Sequence, residues 1–193
     1  MISILREVYQ FKIQLMEVKP PIWRRFLISN SSSLEDFHHT IQITMGWTNS
    51  HLHQFICGED RYGASLPSEF AMNWDDNLRD ETNFKIKDIL KDEGSSILYE
   101  YDFGDSWEHK IILEKIVPYE KGQFLPFCMK GKRGCPPEDV GGVWGYSDFL
   151  EKWNDDKHPE NEEVREWAGD YFEPEIFDQS ETNQILLEAF TKN

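Results

Sequence analysis

The stretch from Ile97 to Val117 restricts the possible folds of this chain more than any other feature. Tyr99, Tyr101 and Phe103 alternate with Glu100 and Asp102, and Trp107, His109 and Ile111 alternate with Glu108 and Lys110. That is the period of half-buried strands, one apolar face and one polar face. Gly104-Asp105 between them is turn chemistry, and strands joined by so short a link pair antiparallel. A two-residue turn pairs Glu100 with His109 and Asp102 with Trp107, setting a carboxylate beside the imidazole to raise its basicity. A three-residue loop instead pairs Tyr101 with His109, Phe103 with Trp107 and Tyr99 with Ile111. The second register separates apolar from charged side chains. It carries more weight, because burying a whole face outweighs one turn preference.

Tyr9, Phe11, Ile13 and Leu15 form another alternating strand, broken by Lys19-Pro20-Pro21, and Ile22–Ile28 reads as its antiparallel neighbour. Ser33 caps a helix whose inner face is Leu34, Phe37, Ile41 and Met45 and whose stop is Gly46. His51–Cys57 is a strand, Glu59–Phe84 is irregular, and Ile86–Leu90 is a short helix. After Pro118 a Gly/Pro-rich loop runs to Gly145. Three helices follow, with Ser147 capping the first, Pro159 in the first turn of the second and Ser180 capping the third. The fold class is α+β: a mostly antiparallel sheet with a β-β-α-β start, compatible with a grasp-like arrangement, and a helical C-terminal segment packed on the sheet. The expectation is a single domain over 1–193, sheet-rich from 1 to 118, then loop and helical tail from 119 to 193.

Charge narrows the function classes. The chain carries 36 Asp and Glu against 20 Lys and Arg, a formal charge of −16. From Pro136 to Phe190 sixteen acids face three bases. Such a surface repels phosphate backbones, so general nucleic-acid binding is disfavoured. The cluster Lys130-Gly131-Lys132-Arg133 reads as a solvated loop before it reads as a phosphate site. No run of about 18 apolar residues is present. Three cysteines and no leader-like start point to the cytoplasm, with free thiols.

Pro20-Pro21-Ile22-Trp23-Arg24-Arg25, Met45-Gly46-Trp47 with His51-Leu52-His53, Tyr99–Trp107 with His109, and Cys135-Pro136-Pro137-Glu138-Asp139-Val140-Gly141-Gly142 follow one another in order. Gly145-Tyr146 and Asp156-Lys157-His158-Pro159 extend the series. Together they resemble the bacterial and archaeal plasmid pRiA4b ORF-3-like family over nearly the whole chain. The resemblance implies one intracellular α+β domain and names no reaction. Two positions depart from the family pattern: Asn161 replaces a second histidine after His158, and Phe172-Glu173-Pro174-Glu175 replaces Phe-Asp-Pro-Glu. The loss of that imidazole counts against a metal at that corner, because amide ligands are weak for transition metals.

The candidate constellations follow from residue type and spacing. His51 and His53, two apart on a strand, share a face, and with His109 they are the candidate metal ligands. No ligand spacing announces a resident ion, so no cofactor is expected and a divalent metal stands as the secondary option. Cys128 and Cys135 read as buried thiols rather than a zinc clip or a nucleophile lowered by Lys130, Lys132 and Arg133. One of Arg24 and Arg25, on opposite strand faces, pairs with Asp102 or Glu100. The leading functional reading is a non-enzymatic binding module for a protein or small ligand, with Tyr101, Asp102, Trp107, Glu138, Asp139 and Trp144 as binding residues. The alternative is a metal-assisted or His/Glu-based hydrolase with His109, Glu138 and Asp139 as catalytic candidates, marked by convergence of at least three such groups. A plasmid- or DNA-associated accessory role comes third.

Overall fold

A computed structural model describes residues 7–64, 77–169 and 172–191. Eight strands form one continuous sheet: β1 (Glu7–Leu15), β2 (Trp23–Ser29), β3 (His53–Cys57), β4 (Asp60–Gly63), β5 (Leu78–Asp80), β6 (Ser96–Tyr101), β7 (Trp107–Pro118) and β8 (Phe127–Lys132). Their order is β5-β4-β3-β6-β7-β1-β2-β8, antiparallel throughout except for the β4–β5 pair. The helices are α1 (Leu34–Met45), α2 (Ile86–Ile89), α3 (Gly142–Asn154), α4 (Asn161–Ala168) and α5 (Gln179–Thr191). The α+β class and the β-β-α-β start are those read from the sequence.

The core forms where period-2 and period-3.6 patterns meet. Tyr9, Phe11, Ile13 and Leu15 of β1 are buried, as are Trp107, His109, Ile111 and Leu113 of β7. Onto that face α1 lays Leu34, Phe37, Ile41 and Met45. The Phe37 ring stands 4.8 Å from Phe11 and 5.5 Å from Phe55. Ser33 and Asp36 make a reciprocal capping box at its start, and Gly46 ends it at φ 105°. Tyr146 and Phe149 of α3 extend the aromatic layer from Trp107.

Arg24 fastens this assembly. Its guanidinium is buried and donates to Thr44 O at 2.7 Å and Met45 O at 3.4 Å, the carbonyls α1 leaves unpaired at its C-terminus. It also donates to Lys132 O in β8 at 3.0 Å and lies 4.0 Å over the Phe177 ring. A cation at the negative end of a helix dipole is well placed. Arg25, on the outer face, grips both oxygens of Glu114 at 2.6 and 2.8 Å, so neither arginine pairs with Asp102 or Glu100.

Several local expectations need correction. The 119–145 region contains β8, hidden from pattern reading because Phe127–Lys132 lacks alternation. Asn183 of α5 caps this edge strand, exchanging two hydrogen bonds with the Cys128 backbone at 2.7 and 2.9 Å. Helix α3 starts at Gly142 rather than at Ser147, Pro159 precedes α4, and Asp178 rather than Ser180 caps α5 through the Glu181 amide. Glu59–Phe84 contains β4 and β5, its 65–76 portion lying outside the described residues.

Replacing Arg24 with Ala strands carbonyls of α1 and β8 in the core. The expected loss is about 3 kcal/mol or more, read as a lower urea midpoint at unchanged slope.

Candidate functional site

The β6–β7 hairpin builds the site. Its register pairs Tyr101 with Trp107, Glu100 with Glu108 and Tyr99 with His109. The faces segregate as the patterning required, yet the register matches neither expected pairing. The cause is the loop. Asp102 and Ser106 take left-handed φ values of 57° and 54°, the Ser106 amide donates to Asp102 O at 2.6 Å, and the Gly104 amide donates to Asp102 Oδ1 at 2.9 Å. The Asp102 side chain thus replaces glycine as the turn former, and the loop lengthens to 102–106. Asp102 is drawn out of the ladder and toward the loop after α1.

A second loop meets the hairpin there. Gly142 has φ 68°, and a Cβ on it would stand 2.6 Å from Asp105 O. The Gly141 amide donates to Asp105 Oδ2 at 3.0 Å. The paired glycines therefore serve the close approach of two loops. They hold Glu138 and Asp139 over the strand ends. Glu138 Oε1 accepts the Thr48 amide at 2.9 Å, the Thr48 hydroxyl at 3.1 Å and the Tyr101 hydroxyl at 3.2 Å. The Tyr101 oxygen in turn accepts the Ser50 amide at 3.0 Å. Trp47 stacks on Tyr101 at 4.8 Å and donates its indole N–H to Pro136 O at 3.2 Å.

At the junction of these three segments stands His51. Its Nε2 lies 3.2 Å from Asp139 Oδ1, 3.7 Å from Asp102 Oδ2 and 3.7 Å from Glu138 Oε2. The nitrogen is buried and, among the described residues, makes no hydrogen bond. One ligand atom each from His51, Asp102 and Asp139 falls within 4.8 Å of the others. Asp139 takes φ 57° and Asn49, just before the site, takes φ 58°. Backbone strain of this kind persists where the surroundings over-determine it, and it gathers at functional sites.

The sequence candidates divide accordingly. His51, Asp102, Glu138, Asp139 and the Tyr101 hydroxyl come together. His53 does not join them: β3 begins at His53, so His51 lies in the preceding bend and the two rings diverge. His53 Nε2 lies 2.8 Å from Glu81 Oε2, and its ring stacks on His38 at 3.4 Å. His109 points into the core, with Nδ1 3.2 Å from Tyr99 O and Nε2 unpartnered among the described residues. Trp107 and Tyr101 are fully buried, so neither ring offers an exposed anchor; Trp144, 87% exposed, does. Burial raises the Cys128 thiol to about 11 and pushes Cys135 higher still, against the lowering effect of Arg24. Neither is a thiolate at neutral pH. Arg133 of the basic cluster turns inward and pairs with Glu175. Thr48 and Glu81 had no signal in the sequence, since each matters through a partner distant along the chain.

The motif order fits one family. The profile described as Plasmid pRiA4b ORF-3-like protein matches residues 7–181. The chain belongs to that family. A relative in Sinorhizobium fredii (strain NBRC 101917 / NGR234), named uncharacterized protein y4hQ, is 37% identical over 167 residues, 86% of this chain and 83% of its own length. The crystal structure of a protein of unknown function, MM3350 from Methanosarcina mazei Go1, superposes with a TM-score of 0.81 at 37% identity. It covers 92% of this chain and 98% of that one. The superposed crystal structure shares the fold, and neither relative's name gives a reaction. Among the described residues no helix is long and apolar enough to cross a membrane.

Burial holds His109 at about 4 and His38 at about 3, below the ordinary 6.5, because desolvation opposes the imidazolium. The unfolded chain therefore binds more protons as pH falls through 6.5, and the folded state loses stability down to those depressed values. Stability is expected to be level above pH ~7 and to fall by several kcal/mol toward pH ~4. Urea titrations across that range check this, and His109→Gln should flatten the slope.

Proposed function

We propose that the protein is a binding module whose site takes a divalent cation through His51 Nε2, Asp102 and Asp139, with Glu138 beside them. The observation that supports this reading is the spacing around His51. Ligand atoms about 2.1 Å from a tetrahedral ion stand about 3.4 Å apart. The His51 nitrogen stands 3.2 to 3.7 Å from the three carboxylate oxygens. Two of those separations are too long for hydrogen bonds, and all three suit donors that share an ion. One imidazole and two or three carboxylates, without thiolate, suit Zn2+ or Mn2+. The local charge favours a cation in the same way, as does the overall excess of acids.

The Glu138 bonds to Thr48 and Tyr101 orient the cluster before any ion arrives. Preformed ligands of this kind lower the ordering cost of binding. The hydrolase reading has one observation in its favour. The Asp139 side chain is 73% exposed, so an ion there would keep a face open to water or substrate. A nucleic-acid role has the acidic site as well as the net charge against it.

Isothermal titration of untagged protein with Zn2+ tests the proposal. One equivalent is expected to bind, with His51→Ala and Asp139→Asn each weakening affinity by about 100-fold or more. Asp60→Asn, an acid paired with Arg79 away from the site, should leave binding unchanged. Absence of saturable binding in the folded wild type would sink the reading.

A further inference from the structure

A cavity of about 910 Å3, sharing no lining residue with the His51 cluster, lies between α3 and the turn that follows β1. Val18, Pro20, Val143 and Leu150 give it apolar walls, and Trp144 is its exposed ring. The volume is in the range of small-molecule sites.

Two of its lining residues carry buried polar groups without partners. Arg133 Nε and Tyr146 OH are buried and, among the described residues, neither makes a hydrogen bond. The rest of the Arg133 guanidinium is engaged. Nη1 donates to Pro20 O at 2.8 Å, and Nη2 donates to Glu175 Oε1. In an arginine the Nε and Nη2 hydrogens form one edge that matches the two oxygens of a carboxylate. Arg25 shows the filled arrangement in this same molecule, its Nε and Nη2 on the two oxygens of Glu114. The Arg133 edge is half filled. Its guanidinium is buried, with a side chain only 3% exposed, while its partner Glu175 is 67% exposed. A buried cation is thus held by a carboxylate that can swing into water.

We propose that this cavity binds a small carboxylate with an apolar or aromatic body, the ligand displacing Glu175. Its carboxylate takes the Nε–Nη2 edge of Arg133 and accepts a hydrogen bond from Tyr146. Its body lies along Val143, Leu150 and Trp144. Beside Lys19, the acids Glu17, Glu151 and Asp155 also line the cavity, and together these three would repel an added anion. Exchange lessens that penalty, because Glu175 turns toward water as the ligand carboxylate takes its place on the guanidinium. The same acids select against multiply charged anions such as phosphate.

Titration of 15N-labelled full-length protein with phenylacetate tests this directly, read at the Arg133 Nε–H and Trp144 indole signals. Both are expected to shift saturably in the wild type. Glu175→Gln should tighten binding by about tenfold by removing the competing carboxylate, and Tyr146→Phe should weaken it several-fold. Unmoved signals up to about 50 mM phenylacetate in folded wild type would overturn the proposal. Equal or stronger binding of inorganic phosphate would overturn the ligand class. The wild-type titrations decide both points even if a variant fails to fold.

Discussion

The carboxylate of Glu138 is the point on which the candidate site depends. It accepts the Thr48 amide and hydroxyl from the loop after α1 and the Tyr101 hydroxyl from the end of β6. Three segments far apart in sequence are thereby fixed at one place. Bonds from neutral donors to a charged acceptor are stronger than neutral pairs, and the Tyr101 bond of this set is partly buried. Once Glu138 is seated, the backbone carries Asp139 to within reach of His51, and Gly141-Gly142 closes on the Asp105 backbone. Remove that seat and the loop keeps its Gly141–Asp105 and Pro136–Trp47 bonds but loses the contact that ties it to Thr48 and Tyr101.

A rigid base lies beneath the site. Arg24 satisfies the last carbonyls of α1 and a carbonyl of β8, while Phe37, Phe11 and Phe55 lock α1 to the sheet. The loop carrying Thr48, Asn49 and His51 leaves from the end of that helix, so its position is inherited from the core. Flexible surface loops would not hold four side chains at these separations. Asn49, Asp102 and Asp139 all take left-handed backbone around this base, a region that Asn and Asp enter more readily than other side-chain-bearing residues.

How far the sequence could be read depended on the range of the interaction. Helix α1, with Ser33 before it and Gly46 after it, was legible because its signals are local. So was the segregation of Tyr99, Tyr101, Trp107 and His109 onto one face. The hairpin register was not, because the decision lay between Gly104 and the side chain of Asp102, and the aspartate won. Among the site residues, Glu138 and Asp139 stood out as acids in a stiff Pro/Gly loop. The choice among histidines failed to emerge, since two residues apart on a strand implies a shared face and His51 sits two residues before the strand begins. Strand β8 is polar at Lys130 and Lys132 and gains its place from Arg24, Asn183 and β2 rather than from its own pattern.

The central claim is that one imidazole and carboxylates, without sulfur, surround a cation at His51. X-ray absorption at the zinc edge of protein loaded with one equivalent of Zn2+ tests it most directly. The expected first shell consists of nitrogen and oxygen scatterers near 2.0–2.1 Å, with the multiple-scattering signature of a single histidine. Sulfur scatterers near 2.3 Å, or the signature of several histidines, would place the metal on Cys128 and Cys135 or on His38 and His53 and contradict the account.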